Sequence, residues 1–168
     1  MVLRTLLCSL ITAMFFITGC AHKQGASGIN DTKISSKENF WAGRISLQIQ
    51  SDPVQAFFAA FELKGQPDNG ELTLISPLGS ILGVMRWTPL EATLEQGGSI
   101  KRFASTDELL AQTTGAAVPV SALFDWLDGK NTPTPGWQAD LSQQGNGRIT
   151  AKRTEPSPQA DLRIVLDK

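Results

Sequence analysis

Arg44-Ile45-Ser46-Leu47-Gln48-Ile49-Gln50 alternates polar and apolar side chains without a break. Successive side chains of an extended strand point to opposite faces, so Ile45, Leu47 and Ile49 share one side and the polar residues share the other. That is the pattern of a half-buried strand. Phe57, Ala59, Phe61 and Leu63 repeat the period, and Glu62 and Lys64 mark the opposite face as the outer one. Phe58 and Ala60 are then the odd members of that outer face, exposed or under a cover. Gly65 to Gly70 (GQPDNG) is turn chemistry. Leu72 and Leu74 continue the inward set, with Glu71 and Thr73 outward. Beyond a loop containing Pro77 and Gly79, Ile81, Gly83, Met85 and Trp87 alternate with Leu82, Val84 and Arg86, and Arg86 places the second group outside. Ala92 and Leu94 add one more inward pair, Gly97-Gly98 reads as a hairpin turn, and Phe103 closes the run. Short strands in succession indicate an antiparallel meander.

The rhythm changes after Phe103. Ser105 stands three residues before Glu108, a capping-box arrangement that opens a helix carrying Leu109 and Leu110, with Gly115 as its stop. A second helix is expected from Pro119 to Asp128, ended by Gly129. Val120, Leu123, Phe124 and Leu127 form its apolar stripe, with Trp126 beside it. A proline-rich loop from Asn131 to Gly136 follows. Period two then returns in Trp137, Ala139 and Leu141, in Ile149 and Ala151, and in Leu162, Ile164 and Leu166. The fold class is therefore mainly β (α+β), a sheet interrupted by two helices. The inward list is almost wholly apolar. Its small members Ala59, Gly83 and Ala92 leave two readings open, a filled core or one with room inside, since cores normally pack without voids.

Composition narrows the function. The 168 residues hold 15 Lys+Arg against 16 Asp+Glu, a formal net charge of −1, with one His and two Cys. A nucleic-acid binder would normally carry a basic stripe. Neither a Ser-His-Asp or Cys-His nucleophile system nor a zinc site of ordinary ligand count can be built from this inventory. Asp125 and Asp128, at i and i+3 on the second helix, could share a face like a catalytic carboxylate pair, but a solvated face is the simpler reading. Asp107 and Glu108 read as charges that favour the helix dipole. Lys101-Arg102 and Lys152-Arg153 read as strand-edge charges. No residue argues for an enzyme, and no cofactor or metal is expected.

The N-terminus reads as an export signal. Arg4 is the one charge in residues 1–19, and an apolar run from Leu6 to Ile17 follows. That run is shorter than the roughly 20 residues needed to span a bilayer. Ile17-Thr18-Gly19-Cys20 resembles the lipobox of bacterial lipoproteins, in which the cysteine is acylated and becomes the first residue of the mature chain. The alternative is an ordinary secretory signal with an incidental cysteine. Removal of residues 1–19 takes Cys8 away and leaves Cys20 as the one cysteine, so no intramolecular disulfide is expected. Several acyl chains hold a protein firmly on a membrane, where one holds it marginally. Residues 20–39, polar and poor in large apolar groups, read as a flexible tether that includes His22. The globular domain occupies residues 40–168.

Three features in order resemble the LolB family of outer-membrane lipoproteins. They are the lipidated N-terminus with its tether, the loop Ser76-Pro77-Leu78-Gly79-Ser80 between two strands, and the insert ASTDELLAQTTGAAVPVSALFDWLDGK from Ala104 to Lys130. The resemblance runs from about Trp41 to the end. It implies an incomplete antiparallel β-barrel with a short helical lid and a hydrophobic cavity, and neither a cofactor nor a catalytic step. It also implies that the protein accepts lipoproteins from the periplasmic carrier LolA and inserts them into the outer membrane. Its expected partners are that carrier, lipoprotein acyl chains and outer-membrane lipid, with no nucleic acid, and a monomer is expected. Ala21 after the cysteine, where aspartate would favour inner-membrane retention, directs such a lipoprotein to the outer membrane, facing the periplasm. Given that cavity, the inward register assigns its lining to Phe57, Phe61, Leu72, Leu74, Met85, Trp87 and Leu94, lidded in part by Leu123 and Trp126. Pro77, Leu78 and Gly79 correspond to the family's protruding loop, whose leucine is tied to membrane delivery. The competing classes are a structural lipoprotein that scaffolds an outer-membrane assembly complex and a lipid-active hydrolase.

Intact mass of the membrane-extracted protein is expected to show residues 1–19 absent and a lipid mass added to Cys20. An unmodified chain that starts elsewhere would rule the lipobox out.

Overall fold

The computed structural model describes residues 39–114 and 118–168. The signal, Cys20 and the tether up to residue 38 lie outside the described residues, as does the Gly115 stop. Nine strands form one antiparallel sheet. They are β1 (Asn39–Ile49), β2 (Gln55–Gln66), β3 (Asn69–Ile75), β4 (Ile81–Trp87), β5 (Ala92–Gln96), β6 (Ser99–Phe103), β7 (Trp137–Asp140), β8 (Arg148–Arg153) and β9 (Ala160–Leu166). Between β6 and β7 come α1 (Thr106–Thr114) and α2 (Val120–Leu127). The strand order is β6-β5-β4-β3-β2-β1-β9-β8-β7, so the sheet stays open, with β6 and β7 as its edges. β1 is the seam. One side pairs with β2 along its whole length, the other with β9 from Gly43↔Leu166 to Ile49↔Ala160. Two meanders, β1 to β6 and β7 to β9, are thereby joined into an incomplete barrel with a helical lid.

The inward faces meet as the alternation requires. Leu63, Ile149, Leu162 and Ile164 are almost fully buried, together with Leu47, Ile49, Phe61, Met85 and Trp87. Both helices present leucines to this interior, where Leu109 and Leu127 are buried. α1 is capped as its sequence requires. The Glu108 backbone N–H donates to Ser105 Oγ at 3.1 Å, and the Glu108 carboxylate accepts from the Ala104 N–H at 2.9 Å. α2 is buried on all sides except around Ser121 and Asp125. A helix lying on a protein surface keeps a broad polar face, whereas one packed across a concave sheet has to be apolar nearly all round.

Three assignments of the strand pattern need correction. The β3–β4 register shifts between Leu74↔Gly83 and Ile75↔Ile81, so Leu82 is an extra residue in β4. This bulge reverses the alternation, and Ile81, expected inside, is 66% exposed. Val84, expected outside, is buried, flanked in register by Thr73 and Glu95. Arg153 is not a strand-edge charge. It is buried, and its Nε and Nη2 donate to the Pro158 carbonyl at 3.2 and 2.7 Å.

At Gly43 the seam has no room for a side chain. A Cβ there would collide with the Val165 carbonyl oxygen across the β1–β9 ladder. Gly43→Ala is expected to destabilise the domain by about 1–3 kcal/mol through this overpacking. The check is a lower urea midpoint at unchanged slope, and an unchanged midpoint would show that the seam can open to admit a methyl group.

Candidate functional site

Two neighbouring lobes lie on the concave face of the sheet, an inner apolar one beneath α1 and α2 and an outer one beside α1 with a mixed polar and apolar lining. The inner lobe, about 70 Å³, is enclosed by side chains that include Ile45, Leu47, Leu63, Leu109, Val120 and Leu162. The outer lobe, about 490 Å³, is edged by Gln55, Ala56, Leu82 and Gln96. Leu47, Phe57, Leu74 and Met85 line both lobes. Phe57, which lines both, is 38% exposed.

Most of the residues expected to line a cavity come together here. Leu72, Trp87 and Leu123 line the inner lobe, Leu94 the outer, and Phe57, Leu74 and Met85 both. Phe61 and Trp126 line neither. Phe61 is buried in the sheet's core, in register with Gly43 on one side and Leu74 on the other. Trp126 faces the β7 side of α2, with its ring 6.1 Å from that of Trp137. Its indole N–H is fully buried with no hydrogen-bond partner, at a cost of about 1–3 kcal/mol. Ile45, Leu47, Leu63 and Leu162 join the lining unannounced, although each shares the inward register. The polar edge of the outer lobe, Gln96, Lys101 and Gln112, is a further addition. Lys101 pairs with the inward-facing Leu94, a placement legible in the hairpin register.

Aromatic contacts fix the lid. Phe124 projects from α2 between Trp41 of β1 and Trp87 of β4, edge-on to both at 5.4 and 6.3 Å. The Trp87 indole N–H donates to the Pro67 carbonyl at 2.9 Å, which ties this cluster to the β2–β3 turn. At the far end of α2, Gln144 Nε2 donates to the Leu127 carbonyl at 2.9 Å. The Asp125–Asp128 pair is engaged structurally. Thr132 Oγ1 donates to Asp125 at 2.7 Å, and Lys130 Nζ lies 3.3 Å from Asp128.

The loop between β3 and β4 is preformed. The Gly79 N–H donates to the Ser76 carbonyl at 2.9 Å, closing a four-residue turn with Pro77 and Leu78 at its centre. The Ser76 N–H donates to the Ser80 carbonyl at 2.8 Å, and the Ser80 N–H to Ser76 Oγ at 3.1 Å. Gly79 has φ +84°, a conformation that penalises any side chain. Leu78 stands at the tip, 94% exposed.

Charges with altered affinity for protons lie away from this site. Hydrogen bonds to Glu95 and then Glu71 raise the Arg86 guanidinium on the outer face. Hydrogen bonds from Ser142 lower the Asp140 carboxyl. Among the described residues, no group of three or more His, Cys, Asp or Glu is gathered to hold a metal ion.

An open antiparallel sheet, a two-helix lid and an apolar interior with a protruding leucine loop define a lidded, cavity-bearing β protein. The family described as outer membrane lipoprotein LolB matches residues 39–160. The outer-membrane lipoprotein LolB of Cupriavidus metallidurans is 29% identical over 85% of this chain and 69% of its own. That of Cupriavidus pinatubonensis is 32% identical over 86% and 68%, and that of Bordetella petrii 28% over 89% and 88%. The chain belongs to the LolB family of outer-membrane lipoproteins.

Two substitutions separate core from cavity. Phe61→Ala is expected to lower stability by about 3–5 kcal/mol in urea titration, and its folded fraction is expected to bind an environment-sensitive acyl probe normally. Leu74→Glu, at a half-buried position shared by both lobes, is expected to abolish probe binding, because a charge in an apolar site is expensive. Equal loss of probe binding in both folded variants would assign Phe61 to the cavity after all.

Proposed function

We propose that this protein accepts lipoproteins from a LolA-like periplasmic carrier, shelters their acyl chains in the lidded cavity and inserts them into the outer membrane. In this reading acylated Cys20 holds the domain on the periplasmic side of that membrane. The observation that carries it is the pairing of an apolar pocket beneath α1 and α2 with a hydrogen-bonded loop that presents Leu78 to solvent. Each CH₂ removed from water contributes about 0.8 kcal/mol, so an acyl chain has a large incentive to occupy such a space. The inner lobe, at about 70 Å³, has to widen as a chain enters, and α1, which carries none of the aromatic contacts that hold α2, is the element placed to shift. Transfer of this kind draws its direction from differential affinity between donor, cavity and membrane. No bond is made or broken.

Leu78 then serves release. Burial of one leucine at the headgroup boundary is worth about 1.5–3 kcal/mol. Gly79 and the two serines hold it out through the hydrogen bonds of the turn, which lowers the ordering cost of contact. The test is transfer of a labelled lipoprotein from loaded carrier to this protein and then to liposomes. Leu78→Glu is expected to accept cargo at the wild-type rate and to fail at insertion. Failure already at acceptance would move the loop to the carrier interface, and wild-type insertion would remove its role. A wild-type protein that accepts no cargo would favour the scaffold reading.

A further inference from the structure

The convex face of the sheet is divided along its length. Toward the β2–β3 turn it is charged. Lys64, Glu71 and Arg86 lie in register, and Arg86 stands 2.8 Å from Glu71 and 3.1 Å from Glu95. Toward the other end it turns apolar. Ala60, Ile75 and Ile81 lie in register across β2, β3 and β4, with Phe58 one step further along β2. Phe58 is 54% exposed and Ile81 66%. The loops at this same end add exposed Val54 and Leu78. An exposed apolar patch rimmed by polar residues marks an interaction site. The β3–β4 bulge makes this one, since unbroken alternation would have turned Ile81 inward.

The neighbouring strands set three arginines beside this patch, with the carboxylates farther out, Asp140 at the β7 end of the Phe58 row and Asp161 one row along β9. In register with Ala60 stand Arg44 on β1, Val165 on β9 and Arg148 on β8, and in register with Phe58 stand Ser46 and Arg163. Arg44, Arg148 and Arg163 are exposed and form no salt bridge among the described residues, whereas Lys152 of the next row lies 3.9 Å from Asp161. The outer lobe is edged at this end too, by Gln55, Ala56 and Leu82.

We infer that this face, with Phe58, Ile81 and Leu78 flanked by Arg44, Arg148 and Arg163, docks on a bilayer that carries anionic headgroups and lays the cavity mouth at the lipid. The inference rests on the proposed membrane delivery and specifies its geometry, a broad footprint in place of a single leucine. Apolar side chains enter the headgroup boundary while guanidinium groups bind phosphate, the combination that holds proteins on anionic surfaces. The anchor permits this orientation. Asn39 pairs with Gly65 at the far end of β1 from Ile49, a distance of about 33 Å at the rise of a strand. The nineteen residues from Cys20 to residue 38 reach up to about 65 Å, enough for the acylated cysteine and the docking face to meet the same leaflet.

The test uses the mature chain with Cys20→Ala, so that no acyl anchor masks weak binding. It is co-sedimented with vesicles of phosphatidylethanolamine, with and without phosphatidylglycerol. Phosphatidylglycerol is expected to strengthen binding, and salt to weaken it. Arg44→Gln and Arg163→Gln are each expected to cost about fivefold on the anionic vesicles, with little change on the neutral ones. Phe58→Ser with Ile81→Ser is expected to cost about tenfold or more on both. Acyl-probe binding in the cavity is measured on every variant. Normal probe binding with unaltered vesicle binding overturns the docking face and leaves the proposed carrier function standing. Failure of the wild type to bind the probe, with vesicle binding as expected, overturns the carrier function and leaves the docking face. Self-association abolished by the same apolar substitutions, with vesicle binding unchanged, assigns the face to a second copy of the chain and also overturns the inference.

Discussion

A concave apolar sheet face has to be covered, and here the cover is held without filling what it covers. α2 lies across the interior because Phe124 is caught between Trp41 and Trp87, and because Trp126 packs against Trp137 on the opposite flank. Aromatic pairs of this type contribute about 0.5–1.5 kcal/mol beyond their area. They set the helix at the height of bulky rings, and the smaller leucines and valines between the rings leave a gap. The inner lobe lies beside these rings, lined by Leu63, Leu109, Val120 and Leu123 together with Trp87.

Placement of the helix is not free of cost. The Trp126 indole N–H is buried without a partner, a penalty that tighter selection for stability would be expected to remove. A lid packed to the full density of an ordinary core would hold more tightly and exclude any guest. Of the small inward residues, Gly83 lines the outer lobe, whereas Ala59 and Ala92 are fully buried and line neither.

Alternation along the strands is readable from the residues because one face is apolar and period two leaves no other assignment. The two helices are readable from Ser105, Glu108 and Gly129, whose capping chemistry is local. What escapes is non-local. The bulge at Leu82 has no signature in a run of apolar residues, so the pattern puts Ile81 on the wrong face. Phe57 and Phe61 share a face, and their difference, one lining both lobes and one in the core, depends on where the helices lie. Trp126 sits on a helix buried nearly all round, so that no stripe indicates which side of it faces the cavity. Arg153 reads as exposed until the chain turns back and offers it the Pro158 carbonyl. The order of the C-terminal strands, which places β9 beside β1, is a pairing across more than a hundred residues that no local pattern encodes.

That last pairing has a consequence in time. β1 is the first strand of the domain and β9 the last, and each half of the sheet shows β1 a different edge. A chain that emerges from its amino end can form the β1–β6 meander early, but the second edge of β1 stays vacant until the final residues arrive. Contacts this distant in sequence form slowly, and an uncovered strand edge is open to wrong partners meanwhile. The outer lobe, lined wholly by residues between 47 and 113, can therefore take shape before β9 pairs, and the inner lobe waits for β9 only at Leu162.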